Sequence, residues 1–410
     1  MLKSKMRIKE VNARKILNSR GEPAIEVEIN GFLGSAPSGA STGANEAATF
    51  PHGIDDAVRL VRKVLSPKLK GMILTRFDSL QKVEDLLHSY DNSERWTKIG
   101  GSLVIALEFA LLHAMAADSG KPLWKFLGGG KQLPRPLGNC VGGGAHAGIH
   151  APDIQEFLLL AMDARKFSQA LMANAEIHKE MKKVLQERDS NFTGGKTDEG
   201  AWTPTLTNLE ILDLLSSAAK KVNDEIKMNV TLGMDMASNQ FFRDGKYYYQ
   251  KFSPVARQSV LTRRQQIDFV VDLIEKYSLG YVEDPLEEND FEGFAEISAR
   301  TKCLICGDDL TTTNPERLKK AIEEKAISAI IIKPNQIGSL IKTREVIDIA
   351  LRNKIVPVIS HRSGETNDDT IAHLGVAFDC PMIKCGIVGG ERLAKLNELL
   401  RIEEQIKSSR

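Results

Sequence analysis

The stretch LGYVEDP, residues 279–285, is a short apolar run that ends in two carboxylates and a proline. Runs of the same design occupy much of the second part of the chain: VTLGMDM (230–236), CLICGDD (303–309), AIIIKPN (329–335), VPVISHR (356–362) and PMIKCG (381–386). From residue 282 onwards they recur roughly every 25 residues, which is the length of one β/α unit. Six such runs in succession predict a barrel of parallel strands.

Amphipathic segments lie between these runs. In RRQQIDFVVDLIEKY (263–277), apolar residues recur at i, i+3, i+4 and i+7 from Ile267 to Ile274, which is the pattern of one helical face. The apolar runs are therefore predicted to be buried strands, and the segments between them are predicted to be helices.

The first part of the chain has a different pattern. Between residue 6 and about residue 36, apolar and polar residues alternate, and Gly21-Glu22-Pro23 separates two such runs, which predicts an antiparallel hairpin. Helical segments follow up to about Leu127, and GGGKQLPRPLG (128–138), dense in Gly and Pro, is the best candidate for a domain boundary. We predict an α/β protein with an N-terminal α+β domain at 1–130 and a β/α barrel at 131–410.

The composition restricts the class of protein. The 410 residues include 55 Lys and Arg against 54 Asp and Glu, for a formal net charge of +1. This near balance gives no support to nucleic-acid or membrane-surface binding, which usually needs a basic excess. The N-terminus has no stretch of signal-peptide type. The most apolar segment, LVIALEFALLHAMAA (103–117), is too short to span a bilayer and carries Glu108 and His113, so we expect a buried helix.

The five cysteines are typical of a reducing compartment without a disulfide framework. Cys303 and Cys306 have the C-x-x-C spacing of some zinc and redox sites. In a strand, however, an odd separation places two side chains on opposite faces. We interpret both as core thiols and expect a cytoplasmic protein.

Ionisable residues stand at the ends of the apolar runs, where strands buried on both faces would otherwise be apolar. They are Asp235, Glu283, Asp308, Lys333, His361 and Lys384. Each has a structural explanation when taken alone, such as capping a helix for Asp308 or facing solvent for Glu283. Six in succession would require a repeated coincidence. Because the carboxyl ends of parallel barrel strands meet at one face, we predict an active site there.

Three carboxylates on consecutive strands suit a hard divalent cation, most simply Mg²⁺. Two lysines and a histidine at the same face would bind or deprotonate an anionic substrate, and a lysine can act as a base only if burial or neighbouring cations lower its pKa. The pattern therefore predicts metal-assisted removal of a proton next to a carboxylate.

Longer motifs extend this pattern along nearly the whole chain. They are ARKILNSRGEPAIEVEI (13–29), SGASTGANEA (38–47), GGGAHAG (142–148), QEFLL (155–159), DEGAWTP (198–204), GMDMAS (233–238), VEDPLEEND (282–290), GDDLTTTNP (307–315), IKPNQIGSL (332–340), SHRSGET (360–366) and ERLAKLNELLRIEE (391–404). In this order they resemble the enolase family, and SGASTG and SHRSGET are its most specific segments. The resemblance implies an enolase-type barrel and Mg²⁺-dependent, reversible dehydration of 2-phosphoglycerate to phosphoenolpyruvate.

The resemblance also implies two Mg²⁺ ions in each active site. Asp235, Glu283 and Asp308 match the ligands of the tighter ion. Ser41, in the SGASTG segment, matches the group that completes the second ion's site when that loop closes over the substrate.

The same comparison implies the catalytic residues. Lys333 matches the base that takes the C2 proton, and Glu199 matches the acid that helps the C3 hydroxyl to leave, assisted by Glu156. Lys384 would bind the substrate carboxylate, and Arg362 with Ser363 the phosphate. His146 and His361 would line the same pocket. The family further implies a homodimer or a ring of dimers, with no membrane span and no nucleic-acid partner.

The chain departs from the usual enolase pattern in several places. CGIVGGER (385–392) replaces a segment with Pro, Arg and Ser, DEGAW (198–202) replaces a commoner Asp-Glu-Gly-Gly-Phe, and the interval from His146 to Glu156 is one residue longer. The alternatives are another enzyme of the wider superfamily, an enolase paralogue with altered substrate or lost activity, and a binding or scaffold protein. The first should lack SGASTG and SHRSGET, and the last leaves the acid, base and metal set unexplained.

Overall fold

The computed structural model describes residues 5–39, 43–130, 132–148, 150–249 and 259–408. Up to residue 127 the described residues form five strands and five helices, with a π-helical turn at Val61–Leu65 and a 3₁₀ turn at Phe77–Leu80. The strands are β1 (Met6–Arg7), β2 (Val11–Leu17), β3 (Pro23–Ile29), β4 (Phe32–Ser35) and β5 (Ile73–Leu74). The helices are α1 (Ile54–Leu60), α2 (Ser66–Leu69), α3 (Gln81–His88), α4 (Gly101–Asp118) and α5 (Leu123–Phe126).

The predicted hairpin is confirmed. Strands β2 and β3 pair antiparallel from Val11 opposite Ile29 to Leu17 opposite Pro23, and β4 adds a third antiparallel strand. The alternation of the sequence has its usual cause, since Ile25, Val27 and Ile29 are completely buried.

Helix α4 is the apolar segment noted above. It is 18 residues long, and by length and composition it could cross a membrane, which the shorter sequence window did not indicate. However, 83% of it is buried inside the fold. A helix that is apolar on all sides and enclosed by protein is a core helix, as expected.

The remainder of the chain contains eight strands that close into a barrel. They are β6 (Arg135–Gly142), β7 (Glu156–Ala161), β8 (Val230–Asp235), β12 (Tyr281–Glu283), β13 (Leu304–Gly307), β14 (Ala329–Ile332), β15 (Val356–Ser360) and β16 (Met382–Gly386). Between β8 and β12 lies a small antiparallel sheet of β9 (Phe242–Arg243), β10 (Lys246–Tyr249) and β11 (Ser259–Thr262). The barrel order is β12-β13-β14-β15-β16-β6-β7-β8, so the predicted fold class is confirmed.

One barrel strand runs against the others. Strand β7 is antiparallel to both of its neighbours, β6 and β8, whereas the remaining neighbours pair in parallel. The six apolar runs predicted as parallel strands are β8 and β12 to β16, which pair in parallel, and β7 was not among them. Because its direction is reversed, its first residue, Glu156, lies beside Asp235, the last residue of β8. A residue at the beginning of a strand thus reaches the face where the other strands end.

Helices α6 (Phe167–Arg188) and α7 (Asn208–Ile226) connect β7 to β8. The later helices are α8 (Arg263–Tyr277), α9 (Phe291–Arg300), α10 (Pro315–Glu323), α11 (Pro334–Ile337), α12 (Leu340–Arg352) and α13 (Thr370–Ala377), which lie between strands, and α14 (Gly390–Lys407), which follows β16. Several begin at a side chain that accepts a backbone N–H, including Thr262 before α8, Asn314 before α10 and Ser339 before α12. These caps define where each strand-to-helix loop ends.

The barrel separates two apolar layers. Alternate residues of β14 point in opposite directions, so that Ile331 belongs to the small cluster inside the barrel while Ile330 packs between strands and helices. Cys306 likewise packs inside and Cys303 outside. The interpretation of the C-x-x-C pair as core thiols on opposite faces is confirmed.

Candidate active site

The strand ends and loops at one face of the barrel line a polar pocket, to which most of the predicted site residues contribute. Its lining residues are Gly39, Glu46, His146, Gln155, Glu156, Glu199, Asp235, Asp308, Asp309, Lys333, Ser360, His361, Arg362, Ser363 and Lys384. Glu283, which is completely buried, lies immediately beneath them in contact with Lys384. Ser41 is outside the described residues.

Lys384 lies among three carboxylates. Its Nζ donates to Asp235 Oδ2 at 2.7 Å and to Glu283 Oε1 at 2.8 Å, and Glu156 Oε2 is 3.1 Å away. Burial alone would lower the pKa of Lys384, but these carboxylates raise it well above its ordinary value. Lys384 is therefore a permanent cation at the base of the pocket.

Asp308 lies between Lys333 and Gln336. Lys333 Nζ contacts Asp308 Oδ2, and Gln336 Nε2 donates to Asp308 Oδ1 at 2.8 Å. Burial alone would lower the pKa of Lys333, but Asp308 raises it above its usual value. In this arrangement Lys333 is protonated, so a role as base requires Asp308 to be engaged elsewhere.

Two carboxyl groups, Glu156 and Glu199, share the opposite wall with His146. The three side chains bring ligand atoms within 4.8 Å of one another, and Asn139 Nδ2 donates to Glu199 Oε2 at 3.0 Å. Burial and the charge of Glu199 raise the pKa of Glu156 well above its ordinary value. Burial alone would also raise the pKa of Glu199, but His361 and His146 lower it well below.

This pair holds one proton. Burial lowers the pKa of His361 to about 4, so its imidazole is neutral near pH 7 and does not bring a full positive charge to Glu199. Glu156 and Glu199 are buried and close together, so the two carboxyl groups do not both ionise. Glu156, whose pKa is raised, is the member that carries the proton.

Arg362 and Ser363 contact groups of the N-terminal part that the sequence analysis did not single out. Arg362 donates to both oxygens of Glu46, at 2.7 and 3.2 Å. Arg20 Nη1 donates to Ser363 Oγ at 3.1 Å. Glu46 lies inside the SGASTGANEA motif, so the signal was present, but no strand end marks it.

Asp284 and Asp309 add two more buried carboxyls beside the predicted set. Asp284 accepts the backbone N–H groups of Asp308 at 3.0 Å and Asp309 at 2.8 Å. It thereby holds the end of β13 in place. A pair of acidic residues stands at the end of each of the strands β12 and β13, Glu283-Asp284 and Asp308-Asp309. The sequence pattern of ionisable strand ends predicted only the first residue of each pair.

The divergent 386–390 segment packs against the backbone that carries Glu199. A Cβ at Gly386 would lie 2.0 Å from the carbonyl oxygen of Glu199. Arg392, which follows the segment and is completely buried, donates to the carbonyls of Arg362 and Ser363, both at 2.6 Å, and of Asp198 at 3.0 Å. This part of the chain supports the two loops that bear Glu199 and His361.

Comparison with known proteins identifies the family of this chain. Residues 8–127 match the family described as "Enolase, N-terminal domain", and residues 130–410 match "Enolase, C-terminal TIM barrel domain". The chain is 46% identical to the enolase of Methanosphaera stadtmanae, with 97% of each chain covered, and 46% identical to that of Methanothermobacter thermautotrophicus, with 98% of each covered. It is 43% identical to the enolase of Natronomonas pharaonis, covering 97% of this chain and 98% of that one.

The chain belongs to the enolase family. Enolases are phosphopyruvate hydratases, lyases that convert 2-phosphoglycerate to phosphoenolpyruvate, and they generally use Mg²⁺. The predicted family, fold, enzyme class and reaction are thus confirmed. The similarity also extends through the N-terminal part, where Glu46 and Arg20 meet the barrel.

Proposed function

We propose that the pocket binds 2-phosphoglycerate with two Mg²⁺ ions, and that Lys333 and the Glu156–Glu199 pair move the protons of the dehydration. Asp235, Glu283 and Asp308 would hold the tighter ion, and Ser41 would complete the second site. Bound Mg²⁺ would supply positive charge where the substrate carboxylate gains a second negative charge.

The carboxylate set fits a hard divalent cation. All three side chains present oxygen ligands at neighbouring strand ends, and Glu283 lies directly opposite Asp235 in the strand pairing. Burial and the charge of Asp235 raise the pKa of Glu283 to about 8. A bound divalent cation would oppose that shift, because it favours the ionised form of the carboxyl group.

Lys333 is the proposed base for the C2 proton. The carboxylate that raises its pKa is Asp308, while Arg362 and Lys384 act in the opposite direction. If Asp308 serves as a metal ligand, its negative charge is shared with the cation and no longer favours the protonated lysine. Burial and the neighbouring cations then lower the pKa of Lys333 towards the range in which it accepts a proton.

Glu199 is the proposed acid for the C3 hydroxyl, and Glu156 is the proposed source of the proton that Glu199 donates. The two carboxyls lie within reach of His146, each 3.7 Å from Nδ1. Transfer of the shared proton from Glu156 to Glu199 would let Glu199 protonate the departing hydroxyl without drawing a proton from solvent.

The anionic ends of the substrate would meet fixed cations. Lys384 lies at the base of the pocket beside the proposed metal ligands, which suits the carboxylate. Arg362 presents a planar guanidinium at the rim, which suits the phosphate once Glu46 releases it, and Ser363 is adjacent. His146 and His361 would line the space between them.

The observation that carries the proposal is the convergence of Asp235, Glu283 and Asp308 with Lys333 and Lys384 in one buried site. The test is phosphoenolpyruvate formation, followed by ultraviolet absorbance, with Mg²⁺ present, after chelation, and after Mg²⁺ is restored. Activity should disappear on chelation and return with Mg²⁺. Folded, Mg²⁺-saturated protein that forms no product would overturn the proposal and favour a paralogue with altered substrate or lost activity.

Exchange of the C2 proton with solvent isolates the proposed base. Lys333→Ala should abolish exchange, whereas Lys319→Ala, which removes an exposed lysine paired with Glu316 on α10, should leave it unchanged. Exchange that persists in Lys333→Ala would show that another group removes the proton.

We also propose a division at residue 130/131, a cytoplasmic location and assembly into a homodimer or a ring of dimers, as the resemblance implies. Light scattering of the purified chain tests the assembly, and a single monomeric species at working concentrations would contradict it.

A further inference from the structure

A second cluster of metal-binding side chains lies outside the catalytic pocket. It consists of Asp369, His373 and Glu398, whose ligand atoms all lie within 4.8 Å of one another. We name it the Asp369 cluster. Asp369 precedes α13, His373 follows one turn later on the same helix, and Glu398 comes from α14. None of the three lines the catalytic pocket.

The separations within the cluster are too long for hydrogen bonds. His373 Nε2 lies 3.5 Å from Glu398 Oε1 and 3.9 Å from Asp369 Oδ1. Ordinary N–H···O bonds are about 2.7–3.2 Å long. Two ligand atoms at about 2.0–2.1 Å from a tetrahedral Zn²⁺ are about 3.3–3.4 Å apart. The 3.5 Å separation between His373 and Glu398 is close to that value. A small rotation of the Asp369 carboxylate would bring its 3.9 Å separation from His373 to the same value.

Among the described residues, His373 and Asp369 have no hydrogen bond that accounts for their positions. His373 is 7% exposed, and its Nε2 is the nitrogen that faces the two carboxylates, at 3.5 and 3.9 Å. No described residue forms a hydrogen bond with its other nitrogen, Nδ1. Asp369 holds the N-cap position of α13, where an aspartate ordinarily accepts a backbone N–H, yet its side chain makes no such bond. Asp368 accepts the Thr370 N–H instead, at 2.9 Å. Capping therefore does not account for Asp369.

The neighbouring groups leave one oxygen of Glu398 for the cluster. Arg401 Nη1 pairs with Glu398 Oε2 at 2.7 Å, so Oε1 is the atom that faces His373. His113, from α4, lies beside Asp369, and its Nε2 is 2.8 Å from Thr370 Oγ1. The cluster therefore consists of one imidazole and two carboxylates, and neighbouring side chains such as Arg401 orient them.

The donor set selects the kind of ion. Mg²⁺ and Ca²⁺ prefer oxygen ligands, whereas an imidazole nitrogen beside carboxylates suits Zn²⁺ and related transition-metal ions. A neutral imidazole offers such an ion a nitrogen lone pair.

We propose that Asp369, His373 and Glu398 form a binding site for a divalent transition-metal ion of the Zn²⁺ type, separate from the Mg²⁺ sites of catalysis. Water would complete the coordination shell, because the described residues supply three ligands.

The bound ion would brace the segment that carries His361, Arg362 and Ser363. That segment leads directly into Asp369, and α14 already holds it through Lys395, whose Nζ donates to the Thr366 carbonyl at 2.7 Å. A metal joining Asp369 to Glu398 would link the same two elements a second time. Its expected effect is on stability, with no role in proton transfer.

The test is a Zn²⁺ titration by calorimetry of metal-stripped protein reloaded with saturating Mg²⁺. The intact chain should bind one more equivalent of Zn²⁺ than His373→Asn or Glu398→Gln. His52→Asn is the matched control, because it removes an exposed histidine in the N-terminal domain. It should bind the same number of Zn²⁺ equivalents as the intact chain. Zn²⁺ that exchanges into the catalytic sites contributes equally to all four proteins and cancels in the comparison.

Co²⁺ provides an independent readout. It should give the visible absorption of a nitrogen- and oxygen-ligated site in the intact chain and in His52→Asn, but not in His373→Asn. Zn²⁺ should also raise the melting temperature of the intact chain and of His52→Asn by more than that of His373→Asn. Equal stoichiometry in all four proteins would overturn the proposal, and Glu398→Gln decides the matter if His373→Asn does not fold. Because the readouts are binding and melting, failure here is distinct from loss of enolase activity.

Discussion

Gly386 offers a direct test of how the divergent segment acts on catalysis. The residue has no side chain, and a Cβ placed on its backbone would lie 2.0 Å from the carbonyl oxygen of Glu199 and 3.2 Å from Cγ of Arg392. Real Cβ atoms essentially never approach another atom closer than 3.0 Å. Gly386→Ala must therefore move the Glu199 backbone, or β16 itself, by about 1 Å.

A displacement of that size predicts the loss of rate. Misplacing a catalytic group by about 1 Å costs on the order of 10²-fold, equivalent to about 2.7 kcal/mol in the activation free energy. Because Glu199 is proposed to act on the departing hydroxyl, we expect the loss mainly in kcat, with KM for 2-phosphoglycerate less affected.

Gly390→Ala is the matched control, because it lies in the same segment and its Cβ would meet nothing within 4 Å. Both variants are assayed for phosphoenolpyruvate formation at saturating Mg²⁺, and their unfolding by urea is measured in parallel. A Gly386→Ala enzyme that unfolds like the control and keeps its kcat within about threefold would refute the reasoning. The segment would then not position Glu199.

Three further predictions concern buried charges. Glu108 accepts the Leu340 N–H at 2.8 Å, and burial and Glu84 raise its pKa well above 4.5; the folded protein holds this proton more tightly than the unfolded chain, so stability falls as pH rises above 4.5. Glu108→Gln should remove that fall, whereas Glu108→Ala should cost about 2–4 kcal/mol in urea unfolding, and equal losses would contradict a protonated Glu108. Arg392→Lys cannot reach all three carbonyls and should destabilise the protein by about 2–4 kcal/mol and lower kcat; an unchanged melting temperature would exclude this support. Asp284→Asn weakens the hold on β13 and should raise the Mg²⁺ concentration for half-maximal activity about 10–100-fold, measured by Mg²⁺ titration; an unchanged midpoint would separate Asp284 from metal binding.

The site could be predicted from the sequence wherever a functional residue ends a parallel strand. Asp235 and Glu283 follow that rule as the last residues of β8 and β12. Lys384 lies in the middle of β16, and its Nζ is 2.7 Å from Asp235 Oδ2 and 2.8 Å from Glu283 Oε1. Glu156 does not follow it, because β7 runs in the opposite direction and presents its first residue to the pocket. That residue was identified by motif resemblance alone.

Other parts of the site depend on contacts between distant segments. Glu46 meets Arg362 across more than three hundred residues of chain, and Arg392 joins the loops that carry Glu199 and Ser363. Neither contact has a signature in hydrophobic periodicity, because charged residues in loops and helix starts look alike whether they face solvent or protein. The Asp369 cluster belongs to the same class, since its members come from two helices that pack only in the folded chain.

The protonation states separate what the sequence by itself determined from what the tertiary structure decided. Local patterns determine the barrel strands, the hairpin and the ionisable strand ends, because burial and backbone geometry impose a period on each element. The motif set also determined the family. Only the folded arrangement decides that Glu156 carries the proton of its pair and that Lys333 is held protonated by Asp308. A pKa depends on burial and on charges a few ångströms away, and those neighbours are brought together by long-range packing that no local stretch of sequence records.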